Sequence, residues 1–186
     1  VAAGLPSIII KESHSLYTVI AKNKISRGGN RLGLIGACVY FACVDCKVGR
    51  SVNEIAEIFQ IKNTILTKGC KSFKEIMYQN RNMNRMNTYK TIEVDDFLHR
   101  FCSKLGLNER DIISIKKIAN TCTKMDLVCE NTPPSMAAGC IYIYLKHTGD
   151  QRDKKTLADV CKISEVTINK CYKKIEKVLN LDNILK

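Results

Sequence analysis

The sequence has few acidic residues, little proline and no long apolar run. Its 186 residues include no tryptophan, three prolines and 18 acidic side chains against 30 lysines and arginines. The longest near-continuous apolar run, residues 32–44, is shorter than the roughly 20 residues that span a bilayer, and no charged-then-apolar secretory leader opens the chain. Hydrophobic residues make up 45%, which excludes disorder as the main state. We therefore expect a soluble, folded protein without a membrane segment.

The shortage of acidic residues gives the chain a net charge of +12. A positive field of this size attracts nucleic acid or acidic proteins. The excess is concentrated in residues 1–91, which carry fourteen basic and five acidic side chains, whereas residues 92–186 carry sixteen and thirteen. Lysine, isoleucine and asparagine are abundant, and their AT-rich codons are an alternative explanation for part of the lysine excess.

The ten cysteines and three histidines of the chain do not predict a metal site or a catalytic centre. The cysteines lie inside apolar stretches, where thiols behave as small buried hydrophobes in a reducing compartment. Cys43 and Cys46 form the only close pair of metal type, so buried thiols are favoured over zinc. Asp95 and Asp96 complement a helix dipole more simply than they bind a metal. Since no nucleophile, base and orienting group come together, we predict no enzymatic activity.

The sequence repeats itself after 102 residues, in a register that needs no gap. Identities number about ten in roughly eighty pairs, but apolar positions match far more widely and the register holds through loops. A fixed internal period is the signature of a repeated architecture. The identical pairs include Cys38 with Cys140, Tyr40 with Tyr142, Arg50 with Arg152, Lys68 with Lys170 and Lys71 with Lys173.

The second copy begins with two predicted helices. Phe97, Phe101 and Leu105 form one apolar stripe, which predicts a helix over 94–105 that ends at a glycine. Asn108 is placed to cap the next helix, whose apolar residues keep helical spacing as far as position 122. We find no alternation typical of a β-strand.

Three further helices complete the second copy. Residues 132–135 break the chain, and Ser135 is the expected start of a helix that is apolar almost all round, as is typical of a helix buried on every side. A short helix over 157–162 and a longer one over 165–179 follow. Position 1 corresponds to 103, so the first helix of the first copy is expected upstream of the chain. The sequence thus predicts an all-α protein with a first repeat over 1–78, a polar linker over 79–91 and a second repeat over 92–186.

The last two predicted helices of each copy form a helix–turn–helix with a basic outer face on its final helix. Ser164 is the expected N-cap of this helix in the second copy, and Ile168, Cys171 and Ile175 share its inner face. Such a helix could enter a DNA major groove, although periodicity leaves open a solvated lysine-rich surface. The outer faces carry Thr64, Thr67, Lys68 and Lys71 in the first copy, and Val166, Asn169, Lys170, Lys173 and Lys177 in the second.

Specific strings resemble transcription factor IIB. Residues 96–105 (DFLHRFCSKL) resemble the opening of the second cyclin-like repeat of that family. Residues 134–142 (PSMAAGCIY) resemble its P-x-S-V-A-A-A-x-I-Y segment, and residues 166–172 (VTINKCY) resemble its V-T-I-R-x-x-Y helix. In the first copy, residues 37–43 (ACVYFAC) are similar to its A-C-L-Y-I-A-C. The resemblance covers essentially the whole chain and implies two tandem five-helix cyclin-like repeats, the first without its first helix here.

The resemblance also implies a function in transcription initiation. The family core docks on TATA-binding protein bound to promoter DNA, contacts the flanking DNA and helps to bring in RNA polymerase. No cofactor is implied within this chain, and a zinc ribbon is expected upstream of residue 1. Asn169 stands where the family typically has arginine, and asparagine suits adenine better than guanine. The candidate DNA-binding residues are Thr67, Lys68, Lys71, Lys154, Lys155, Val166, Asn169, Lys170 and Lys173.

Two rival functions share the implied fold. One is a cyclin that activates a kinase, and the other is the factor IIB relative that serves RNA polymerase III. Basic outer helices in both copies favour DNA over a kinase partner. The composition would suit a large DNA virus or a protist, so the expected location is the nucleus or a cytoplasmic viral factory.

Overall fold

The computed structural model describes residues 4–23, 25–79, 93–127, 132–181 and 184. These residues form helices joined by turns, and no strand occurs among them. The chain divides into two compact units, Val1–Ile92 and Glu93–Lys186. Apart from Gln79, the predicted linker lies outside the described residues.

The first unit contains four described helices around a largely buried second helix. They are α1 (Ser7–Asn23), α2 (Gly28–Asp45), α3 (Val52–Ile58) and α4 (Asn63–Gln79). From Gly33 to Val44, α2 is buried at nearly every position. Its Phe41 ring stacks on Phe73 of α4, with 4.4 Å between the ring centroids. The core of this unit therefore lies along α2, with α1 and α4 packed against it.

Two glycines let α2 and α4 approach backbone to backbone. A Cβ atom at Gly33 would lie 2.6 Å from the carbonyl oxygen of Ile65, and one at Gly69 would collide with the carbonyl oxygen of Gly33. Because protein interiors are close-packed, only residues without a side chain fit at this crossing.

The second unit contains five described helices around a similarly buried third helix. They are α5 (Asp95–Lys104), α6 (Glu109–Lys124), α7 (Pro133–His147), α8 (Lys154–Cys161) and α9 (Glu165–Val178). From Pro134 to Leu145, every residue of α7 is buried. A Cβ atom at Gly139 would lie 2.6 Å from the Cβ of Cys171, so one glycine lets α7 and α9 pack closely. The apolar helix predicted from sequence is confirmed as the centre of its unit.

Two predicted helix starts in this unit are wrong. The central helix begins at Pro133 rather than at Ser135, because a proline in the first turn needs no amide hydrogen bond and its φ suits a helix. The short helix begins at Lys154 rather than at 157 and ends at Cys161. It starts early because the carboxylate of Asp153 accepts a hydrogen bond of 2.8 Å from the backbone N–H of Thr156 and caps it.

The two units repeat each other's backbone after 102 residues. The starts of α1, α3 and α4 at 7, 52 and 63 correspond to the starts of α6, α8 and α9 at 109, 154 and 165. Left-handed backbone positions correspond in the same way. The predicted all-α fold of two tandem repeats is confirmed. The matched left-handed pairs are Gly4 with Gly106, Lys47 with Gly149, and Gln60 with Lys162.

Among the described residues, no helix combines the length and apolar character that crossing a membrane requires.

Candidate nucleic-acid interface

In the second unit, α8 and α9 form the predicted helix–turn–helix. Lys162 adopts the left-handed conformation, with φ of 56°, and ends α8. The hydroxyl of Ser164 then accepts a hydrogen bond of 3.2 Å from the backbone N–H of Thr167, so the predicted N-cap of α9 is confirmed. The turn is therefore short and closed at both ends by local contacts.

The two faces of α9 differ as its sequence predicts. Ile168, Cys171 and Ile175 have no exposed surface, so they hold the helix on its unit. Lys170 and Lys173 are exposed on the other side, and Val166 is exposed over 66% of its surface. The first turn of α9 therefore presents one apolar side chain to solvent beside its lysines.

The first unit presents a second helix–turn–helix in α3 and α4. Ser51 and Glu54 form a reciprocal capping box at the start of α3. Thr67, Lys68 and Lys71 are exposed on α4, opposite its buried Leu66, Phe73 and Met77. The hydroxyl of Thr67 donates a hydrogen bond of 2.8 Å to the carbonyl of Asn63, one turn earlier on the same helix.

A contact between α8 and α9 joins two of the predicted DNA-binding residues. The Nζ atom of Lys154 donates a hydrogen bond of 3.0 Å to Oδ1 of Asn169. The same ammonium lies 5.6 Å from the ring centroid of Tyr142 on α7, within the range of a cation–π interaction. Lys154 and Asn169 are both partly buried. They are therefore held in place rather than freely solvated.

The ring of Tyr142, which the Lys154 ammonium contacts, is itself held in the core of the second unit. The ring is 4% exposed and meets the ring of Tyr172 edge to face, with 5.2 Å between centroids. The hydroxyl of Tyr172 donates a hydrogen bond to Glu176, and this bond, together with burial, raises the pKa of Tyr172 to about 12. The phenol of Tyr172 therefore stays neutral at physiological pH.

A depression of about 370 Å³ lies beside this cluster. One of its side chains, Arg152, is already engaged: its guanidinium donates to the carbonyl of Leu105 at 2.6 Å and lies 3.2 Å from the carboxylate of Asp150. The lysines at the same depression are Lys146, Lys154 and Lys155. Arg152 therefore connects the end of α5 to the segment before α8, and the three lysines share the depression with the carboxylates of Asp150, Asp153 and Glu165.

Most of the described cysteines are buried as predicted. Seven of the nine described cysteines are buried and two are partly buried. Burial raises the pKa of the Cys38 and Cys102 thiols to about 12. In the part of the chain that the structure describes, no group of three or more histidine, cysteine or acidic side chains could hold a metal ion.

The acidic pair in the first turn of α5 has structural contacts. The carboxylate of Asp96 accepts a hydrogen bond of 3.0 Å from the backbone N–H of Glu93. The carboxylate of Asp95 lies 3.9 Å from the ammonium of Lys116. These contacts agree with the predicted role at a helix start.

The structure therefore brings together only part of the predicted site. Lys154, Lys155, Val166, Asn169, Lys170 and Lys173 lie on the helix–turn–helix of the second unit, whereas Thr67, Lys68 and Lys71 lie on that of the first. Sequence reasoning missed Tyr142 as the support of Lys154, because its spacing indicates only a core residue. The coupling of Lys154 to Asn169 spans 15 residues and has no periodic signal.

Comparison with known proteins shows similarity along both units. The family model described as the transcription factor TFIIB repeat matches residues 1–76 and 87–178. A transcription initiation factor IIB-like protein of Acanthamoeba polyphaga mimivirus is 37% identical over 163 residues, covering 87% of this chain and 35% of that protein. Transcription initiation factor IIB of Xenopus laevis is 28% identical over 172 residues, covering 92% and 52%.

An archaeal relative shows the same extent of similarity. Transcription initiation factor IIB 1 of Thermococcus kodakarensis is 28% identical over 178 residues, covering 96% of this chain and 57% of that protein. The chain thus spans between about one third and just over half the length of these relatives.

Proposed function

The chain belongs to the transcription factor TFIIB repeat family, and from that premise we propose that it is the core of a transcription initiation factor. In this proposal it binds the complex of TATA-binding protein with promoter DNA, contacts the flanking double helix and helps to recruit RNA polymerase. The observation that carries the proposal is the presence of a helix–turn–helix in both units, each with exposed lysines at the same helical positions.

The lysines are the most direct support for DNA contact. Lys68 and Lys71 on α4 correspond to Lys170 and Lys173 on α9 under the shift of 102 residues, and all four are exposed. Few other residues are identical between the units. A cationic side chain on the outer face of a helix that is fixed on its inner face is suited to DNA phosphates.

The charge distribution supports a protein partner for the first unit. Residues 1–91 carry fourteen basic against five acidic side chains. A surface with such an excess attracts a partner with an acidic surface over distances comparable to the Debye length. We assign the acidic partner to TATA-binding protein, as the family resemblance implies.

The experiment that tests the proposal is fluorescence anisotropy on a labelled TATA-containing duplex. The protein is titrated with and without TATA-binding protein from the same source. We expect tight binding only when TATA-binding protein is present, because the two surfaces then act together. Equal and weak binding in both titrations would contradict the proposal, and kinase partners would then be tested.

A double variant separates phosphate contact from general charge. Lys170→Ala with Lys173→Ala should weaken binding to all DNA sequences about equally, because phosphates carry no base information. The matched control is Lys117→Ala with Lys124→Ala, which removes two exposed lysines from α6. Equal losses for the two double variants would contradict the assignment of α9 to DNA.

The proposed location follows the transcription machinery that the factor serves. It is the nucleus, or a cytoplasmic viral factory if the source is a virus. The relative in a mimivirus supports the viral alternative. Imaging of the tagged protein in its own host, beside a DNA stain, distinguishes the two.

A further inference from the structure

The contact between Lys154 and Asn169 fixes the orientation of an amide on the outer helix. The ammonium of Lys154 has only donors, so the atom of Asn169 that it contacts at 3.0 Å must be the amide oxygen. The amide nitrogen therefore lies on the side away from Lys154. The ring of Tyr142 holds the ammonium from behind at 5.6 Å, so the lysine is confined by two contacts.

This orientation changes what Asn169 can recognise. An isolated asparagine binds adenine with two hydrogen bonds, accepting from the N6 amino group and donating to N7. Here the amide oxygen already accepts from an ammonium, and the positive charge beside it repels another donor such as the adenine amino group. The pair as a whole presents donors: the Asn169 amide nitrogen and the remaining ammonium protons of Lys154.

We propose that Lys154 and Asn169 form a composite donor site that reads guanine in the major groove. Guanine presents two acceptors there, O6 and N7, whereas adenine presents one acceptor and one donor. Two side chains would thus supply the paired donors that a single arginine supplies in the commonest contact to guanine. This inference rests on the proposed function, because it assumes that α9 enters DNA.

The first unit has no such pair. The positions that correspond to Lys154 and Asn169 are occupied by Val52 and Thr67. The Thr67 hydroxyl donates to a backbone carbonyl of its own helix, so it is not available as a base donor in that state. We therefore assign base discrimination to α9, and phosphate contact to both α4 and α9.

The test measures base preference in the complex with TATA-binding protein and promoter DNA. Each base pair flanking the TATA element is replaced in turn by the other three, and affinity is measured by fluorescence anisotropy. The proteins are the wild type, Asn169→Ala, Lys154→Met and the matched control Lys155→Met. Lys155 is an exposed neighbour of equal charge, and methionine keeps the apolar stem of the lysine. Thermal unfolding of each variant confirms that it is folded.

We expect the wild type to prefer guanine to adenine by about tenfold at one position, which corresponds to the lower part of the range for a pair of hydrogen bonds to a base. Replacement of that guanine by 7-deazaguanine, which lacks the N7 acceptor, should lower affinity. Replacement by inosine, which keeps both acceptors, should not. Asn169→Ala should abolish the preference.

The two lysine variants should change different quantities: Lys154→Met should change base preference, and Lys155→Met should change overall affinity. Lys154→Met should shift the preference from guanine toward adenine, because the freed amide can accept from the adenine amino group. Lys155→Met should lower affinity for all duplexes equally. The inference would be wrong, but the proposed function would stand, if the wild type showed no guanine preference or if Lys154→Met kept that preference unchanged. If the wild type did not bind the duplex at all, both the proposed function and the inference would be wrong.

Discussion

Tyr142 combines two roles within one side chain. It is 4% exposed, and its ring contacts the ring of Tyr172 and the ammonium groups of Lys146 and Lys154. Removal of the ring would leave a cavity in the core and would also release Lys154. Tyr142 therefore supports stability and, under our proposal, also positions a group that reads a base.

We expect Tyr142→Ala to lower the free energy of unfolding by about 3–5 kcal/mol, as for other aromatic residues cut to alanine in a core. Urea unfolding followed by circular dichroism measures the loss. Tyr142→Phe is the control, because it keeps the ring and should leave stability within about 1 kcal/mol of the wild type. Similar stability of the alanine variant and the wild type would contradict the burial of this ring.

The buried thiols predict how stability depends on alkaline pH. Burial raises the pKa of Cys38 and Cys102 from 9.0 to about 12. Below pH 9 the thiols are protonated in both the folded and the unfolded chain, so they contribute no pH dependence. As pH rises from about 9 to about 12, these two thiols ionise mainly in the unfolded chain. The free energy of unfolding therefore falls.

The measurement is denaturant unfolding at several pH values between 7 and 11. We expect a constant free energy of unfolding from these groups up to about pH 9 and a progressive fall above it. The thiols should also react slowly with a disulfide reagent in the folded protein and rapidly in denaturant, since the thiolate is the nucleophile. Fast reaction of every thiol in the folded protein would show that the burial is wrong.

Helix crossings are achieved differently in the two units. In the first, Gly33 and Gly69 bring the backbones of α2 and α4 into direct contact. In the second, Gly139 faces the side chain of Cys171 across α7 and α9. At the first crossing the atoms nearest to an added methyl group are backbone carbonyl oxygens, which cannot move aside by a change of rotamer.

We expect Gly33→Ala and Gly69→Ala each to destabilise the first unit by about 3 kcal/mol, the upper part of the usual range for overpacking. Gly29→Ala is the matched control on α2, because its Cβ would lie no nearer than 3.9 Å to Ile65. That variant should be neutral or slightly stabilising, since alanine has the higher helix propensity. Chemical denaturation of the three variants compares them, and a Gly69→Ala variant as stable as Gly29→Ala would contradict the close crossing.

The helices were the part of the structure that the sequence predicted best. The apolar character of α7 and the caps Asn108 and Ser164 are confirmed, because caps and periodicity act between residues close in the chain. The predicted start of α8 is wrong because its apolar residues begin only at Leu157, whereas the Asp153 cap starts the helix at Lys154. The pairing of Lys154 with Asn169 could not be predicted, since it depends on how two helices pack. The assignment of these residues to DNA stays a prediction.

Most of the net positive charge of the molecule lies in residues 1–91, but basic side chains are exposed on both units. Each unit presents exposed lysines on the last helix of a helix–turn–helix. Two binding helices on one chain raise the effective concentration of the second once the first has bound. Affinity for DNA should therefore depend on the summed phosphate contacts of both units.

We expect the logarithm of the DNA affinity to fall linearly with the logarithm of salt concentration, with a slope of about −4 to −5 for roughly four to six neutralised phosphates. Anisotropy titrations between about 50 and 200 mM salt measure this slope. Lys170→Ala with Lys173→Ala should make the slope less steep by about 2, because two phosphate contacts are lost. A slope near zero in the wild type would exclude an electrostatic interface.

The matched left-handed turns have an evolutionary consequence. Lys47, Gln60 and Lys162 occupy a backbone region that costs a residue other than glycine roughly 1 kcal/mol, yet each position has its counterpart in the other unit. The handedness of these turns has thus outlasted most of the amino-acid identity between the two copies. Between these two units, the spacing of the helices and the handedness of the turns are retained better than the residues themselves.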